Sequence, residues 1–105
     1  MNLQQLVKTK EAGKAIAKAG SIINEIDKKN GKVDRSTIER AEAVKASLLQ
    51  LVLSPNIYTV SARHTLDALN HAIAFAEGDE TAKQRYLDAC ERANALNHRI
   101  NEGLR

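Results

Sequence analysis

His64, Asp67 and His71 are the residues of this chain whose types and spacing most invite a metal. On a helix all three share one face. The two histidines are seven residues apart, so their Cα atoms lie about 10.5 Å apart along the axis, and one ion does not readily take both. Asp67 and His71, at i and i+4, offer two ligands, with no third evident. At 100° per residue this face lies opposite the apolar seam of its own segment, so a solvated polar face is expected, with no metal.

The stretch Lys28–Glu39, KKNGKVDRSTIE, imitates the back half of a calcium loop. Such a loop needs oxygen ligands at positions 1, 3 and 5, Gly at 6 and a bidentate Glu at 12. With Gly31 at position 6, positions 1, 3 and 12 fall on Ile26, Lys28 and Thr37. An apolar side chain and a cation stand where carboxylates are required. The same residues suit a corner between two helices. Asn30-Gly31 can take the left-handed conformation that closes a helix, and Lys28, Lys29 and Lys32 suit the negative end of its dipole. Ser36 with Glu39 forms a capping box for the next helix.

Nucleophilic chemistry finds little to work with. Cys90 falls beside Tyr86, Ala89 and Ala93 at the edge of an apolar seam, the setting of a small buried thiol. His98 finds no carboxylate partner, and no Ser-His-Asp or Cys-His set can be assembled. There is no Gly-rich phosphate loop, CxxC or HExxH, and the seams carry none of the paired carboxylates of di-iron bundles. No enzyme, cofactor or small-molecule substrate is expected.

The elements that must position these residues are helices. Ala12, Ile16, Ala19, Ile23 and Ile26 repeat at 4-3-4-3 spacing in a first helix over about Leu3–Lys29. Thr37, Ala41, Val44, Leu48 and Leu51 do so in a second, from Ser36 to about Leu53, stopped by Ser54-Pro55. Ala62, Leu66, Leu69, Ile73 and Ala76 mark a third, about Thr59–Glu77, ended by Gly78. Asp79 caps a fourth carrying Ala82, Tyr86, Ala89, Ala93, Leu96 and Ile100. The 3.5-residue period is that of left-handed, knobs-into-holes packing.

Short links make successive helices antiparallel. The expected fold is all-α: an up-down-up-down antiparallel four-helix bundle with longer first and last helices, or two helical hairpins pairing in a dimer. The 105 residues are read as a single domain, 1–105. Hydrophobic content of 43% with 28% charged places the chain among globular sequences. One cysteine excludes an internal disulfide and fits a reducing, cytoplasmic compartment. Met1-Asn2-Leu3-Gln4-Gln5 shows no basic region before an apolar core, so no signal peptide is expected. No apolar run approaches a membrane span.

Charge is uneven. Residues 1–33 hold seven lysines against three carboxylates, whereas residues 34–105 hold nine basic and ten acidic groups. Lys10, Lys14 and Lys18 form an i, i+4, i+8 stripe on the first helix, with Lys28 on the same side. Such a stripe can track phosphates. Glu11 and Glu25 interrupt it, arginine is absent from it and no aromatic is near to stack on bases. RNA or DNA is therefore the alternative partner rather than the leading one.

Apolar residues off the seams point to protein contacts. Leu3, Leu6 and Val7 fall on the lysine side of the first helix, and Phe75 with Val60 lies away from the seam of the third. Aligning the bundle at its two tight corners leaves the long first and last helices overhanging at the other end, where Ile100 and Leu104 join Leu3, Leu6 and Val7. The expectation is a small accessory protein acting by protein–protein interaction, as adaptor, regulator or inhibitor. It is expected to pair with itself as a homodimer and to bind another protein.

Overall fold

The computed structural model describes the backbone of residues 3–53, 55 and 57–103, and the side chains of 10–53, 55, 57–100 and 102–103. Four helices follow in chain order: α1 (Leu3–Lys28), α2 (Arg35–Leu53), α3 (Thr59–Ala76) and α4 (Ala82–Gly103). They form the all-α four-helix bundle that the period implies, 44 × 23 × 19 Å in extent, with α1 and α4 the two longest.

Both corners at one end of the bundle close by backbone chemistry written in the sequence. At the end of α1, Asn30 (φ 53°) and Gly31 (φ 83°) are left-handed. The Gly31 N–H donates to the Ile26 carbonyl and the Asn30 N–H to that of Asp27, so the orphan carbonyls of the last turn are satisfied. Gly78 (φ 113°) repeats the device at the end of α3, where Asp79 N–H reaches the Ala74 carbonyl and Gly78 N–H that of Phe75.

The helix starts differ from expectation. Asp34, rather than Ser36, opens α2. Its Oδ1 accepts from the Thr37 N–H (3.0 Å), the Thr37 hydroxyl (3.1 Å) and the Ser36 hydroxyl (2.8 Å). A carboxylate is the better acceptor for orphan N–H groups at the positive end of a helix, so Ser36 becomes a donor to the cap. Asp79 does hold the turn before α4, accepting from the N–H and hydroxyl of Thr81. The regular helix begins only at Ala82, so α4 has 22 residues, fewer than a start at Asp79 implied.

The packing is a rhombus rather than a square. α3 packs against all three other helices, most closely α4, and α1 crosses the short diagonal to reach it. Alanine permits this: Ala12, Ala19, Ala41, Ala62, Ala68, Ala72, Ala82 and Ala89 are fully buried, and small side chains let helix axes approach. α3 consequently buries a second stripe, Ser61, Thr65, Ala68 and Ala72, beside its Leu69–Ile73 seam. The two hydroxyls are paired internally, Ser61 with Asn97 of α4 and Thr65 with the Ser61 carbonyl. Among the described residues, no buried side-chain nitrogen or oxygen lacks a partner.

Candidate functional site

The polar face of α3 is less open than its periodicity implied. His71 Nε2 lies 3.2 Å from Asp67 Oδ1, and Arg92 of α4 reaches Asp67 Oδ2 at 3.6 Å. The carboxylate is thus shared between an imidazole on its own helix and a guanidinium on the next. Among the described residues, no three His, Cys, Asp or Glu side chains gather as a metal would need. His98 does have a carboxylate partner: its Nε2 lies 3.1 Å from Glu102 Oε1, one turn on. This i, i+4 pair was legible in the spacing and was missed.

Cys90 is half-buried in a crevice of about 100 Å³ between α1, α3 and α4, lined by the apolar Ile16 and Ile23 as well as by Asn24, Asn94 and Asn97. Burial first, and the Asp27 charge second, push its thiol up. A thiol so placed is a poorer nucleophile at neutral pH than a free one. Neighbouring Tyr86 is fully buried, and its hydroxyl donates to Asp27 Oδ1 at 2.7 Å across the same α1–α4 side.

Phase by phase along α3, the apolar residues off the seam separate. Phe75 is half-buried against the core, its ring 5.6 Å from that of Tyr86 and tilted at 53°. It also roofs the first corner, since a Cβ on Gly31 would meet its ring at 3.2 Å. Val60 sits at the other end of α3, about 22 Å away at 1.5 Å per residue, and is 54% exposed. Phe75 and Val60 are therefore well apart, and Phe75 packs on the neighbouring helix.

Val60 instead belongs to a cluster that sequence reasoning did not assemble. Leu49 and Leu53, one turn apart at the end of α2, and Ile57 in the link to α3 are all exposed, Leu53 at 77%. Leu49 and Leu53 lie off the Thr37–Leu51 seam of the second helix, so the period leaves them outside the core, but it does not show that they meet Ile57 and Val60 at one end. α1 lies at this same end. It has 26 residues against 19 in α2, and with the Lys28–Arg35 corner fixed, about 10 Å of α1 extends beyond its partner. The side chains of Leu3, Leu6 and Val7, and the whole of Leu104, lie outside the described residues; Ile100 is half-buried.

Lys10, Lys14, Lys18 and Lys28 are all exposed. Among the described residues, none of the four makes an ion pair, whereas Lys29 and Arg40 both hold Glu25, at 3.4 and 3.0 Å. Lys14 and Lys18 also stand on the rim of a surface groove between α1 and α2.

Comparison with known proteins finds no matching family model, no matching curated sequence and no matching solved structure.

Proposed function

We propose that the chain is a small, non-catalytic helical-bundle protein that acts by binding protein, and that its open end pairs with a second copy of itself. The observation that carries this reading is the exposed cluster Leu49, Leu53, Ile57 and Val60 where α2 ends and α3 begins. Isolated exposed aliphatics are ordinary; four gathered at one end, beside the overhang of α1, make a contact surface. Burying them at roughly 1.5–3 kcal/mol each offsets much of the cost of association. Two-fold pairing would make the patch self-complementary. A reducing, cytoplasmic setting fits the single cysteine. An adaptor, regulator or inhibitor would use such a surface.

Light scattering tests the reading. The natural chain at ~100 μM, a concentration that reveals micromolar association, is expected to be dimeric. Leu53→Ser with Val60→Ser is expected to give a folded monomer. A natural chain already monomeric at that concentration would overturn the self-pairing.

The exposed lysines of α1 support a second reading, in which Lys10, Lys14, Lys18 and Lys28 follow the phosphates of RNA or DNA.

A further inference from the structure

We infer that the groove between α1 and α2 is a docking site for an acidic amphipathic helix from a partner protein. The inference rests on the reading of the chain as an interaction protein, but it uses a different surface from the open end. Two adjoining cavities of about 470 and 420 Å³ form the groove and share Lys18, Ala43 and Val44. It runs from Glu11 to Ile22 on α1 and from Arg40 to Leu51 on α2. Twelve residues on each side, eleven helical rises, make it about 16 Å long, three turns of helix. Its walls are apolar, from Ile22, Val44 and Leu51, while Ala15, Ala43 and Ser47 are too small to fill it.

Charge selects the occupant. The rim carries Lys14 and Lys18, and Arg40 already paired with Glu25, against one lining carboxylate, Glu11. Lys14 and Lys18 stand one turn apart along one rim, with no ion pair among the described residues. A helix laid in the groove with apolar side chains at i, i+4 and i+7 would fill the space above the alanines, in the manner of helix-in-groove recognition. Carboxylates beside that stripe would meet both lysines. A nucleic-acid backbone uses the same cations but gains nothing from an apolar floor, and the groove lining holds no aromatic on which a base could stack.

The test is selection from a displayed library of four-turn helical peptides against the full chain. Two variants, both at exposed positions, are checked for unchanged helicity: Lys14→Glu with Lys18→Glu, which reverses the rim, and Ala43→Leu with Ser47→Leu, which fills the groove. Enriched peptides are expected to carry an apolar stripe flanked by Asp or Glu. Each variant is expected to weaken their binding about tenfold or more, a change of the size that two charge pairs or a blocked pocket supply. The open-end variant Leu53→Ser with Val60→Ser should bind them unchanged, so failure of self-pairing and failure of the groove are read separately. No enrichment, enrichment without acidic flanks, binding insensitive to both variants, or uptake of single-stranded RNA or DNA in place of any peptide would each overturn the inference.

Discussion

The Tyr86 hydroxyl of α4 donates to the Asp27 carboxylate of α1 at 2.7 Å, bridging the one side of the bundle where the adjacent helices are not closely packed. Burial and the neighbouring carboxylate both push the Tyr86 phenol up from its ordinary value. In the unfolded chain it ionises near pH 10; in the folded chain it holds its proton to higher pH. A folded pKa that is raised gives stability that is complete below the unfolded pKa and is lost as pH climbs past it. Tyr86→Phe should cost about 1.5–3 kcal/mol at pH 7, the worth of a hydrogen bond to a charged acceptor. Above pH 10 the gap between natural chain and variant should shrink. Urea unfolding at pH 7 and at about pH 10.5 measures both, and a gap that stays constant would contradict the assigned proton.

The glycines divide by conformation. Gly13 and Gly20 are interior to α1, and a Cβ at either meets nothing within 4 Å. Gly13→Ala and Gly20→Ala should each raise stability by about 0.5–1 kcal/mol, through helix propensity and a less free unfolded chain. Gly31→Ala should do the reverse, because its φ is +83° and the new methyl would press on Phe75 at 3.2 Å. Thermal melts of the three variants should order them on opposite sides of the natural chain.

Asp34 gives the bundle an acid limit. Hydrogen bonds from the Ser36 hydroxyl first, then from the N–H and hydroxyl of Thr37, hold its carboxyl below the usual range. The depressed folded pKa means that the stabilisation is present above the unfolded value and is lost as pH falls through the folded one. Asp34→Asn keeps a capping oxygen but removes the titration. Its stability should fall less steeply than that of the natural chain below about pH 4, as circular dichroism through an acid titration would record.

How much of this was legible beforehand depends on whether the deciding contact is local. The helices, the Asn30-Gly31 and Gly78 closures and the Asp79 turn are set by residues within one or two turns, and they appear in the sequence. The buried stripe Ser61–Thr65–Ala68–Ala72 does not, because hydroxyls read as polar until Asn97 and the Ser61 carbonyl are placed beside them. The wheel gives the angle of Phe75 on α3 but not the corner it covers. Leu53 lies off the Thr37–Leu51 seam, and only the fold places it at the same end as Ile57 and Val60. The α1–α2 groove was equally hidden, since it arises from small residues on two helices that are far apart in sequence.

The lysine stripe separates the two functional readings. Lys10→Gln, Lys14→Gln and Lys18→Gln together touch only exposed side chains and should leave unfolding within about 0.5 kcal/mol. On the protein-binding reading, the natural chain should pass through heparin at ~150 mM salt without retention. Retention that falls steeply with salt, and is lost in the triple variant, would instead favour phosphate binding.

Two leucines on one helix give the sharpest contrast. Leu48 is fully buried, while Leu53, five residues on, is 77% exposed. Leu48→Ala removes packed methyl groups from the middle of the core and should cost about 2–5 kcal/mol, according to how far the cavity collapses. Leu53→Ser takes an apolar side chain out of water contact and should leave the fold within about 0.5 kcal/mol. The comparison belongs at low micromolar protein or below, because a dimer gains stability with concentration. At ~100 μM the Leu53 variant should then fall behind the natural chain, since only the natural chain gains from pairing. If Leu53→Ser is instead as damaging as Leu48→Ala at every concentration, that end of α2 is covered within a single copy and the open-end surface does not exist.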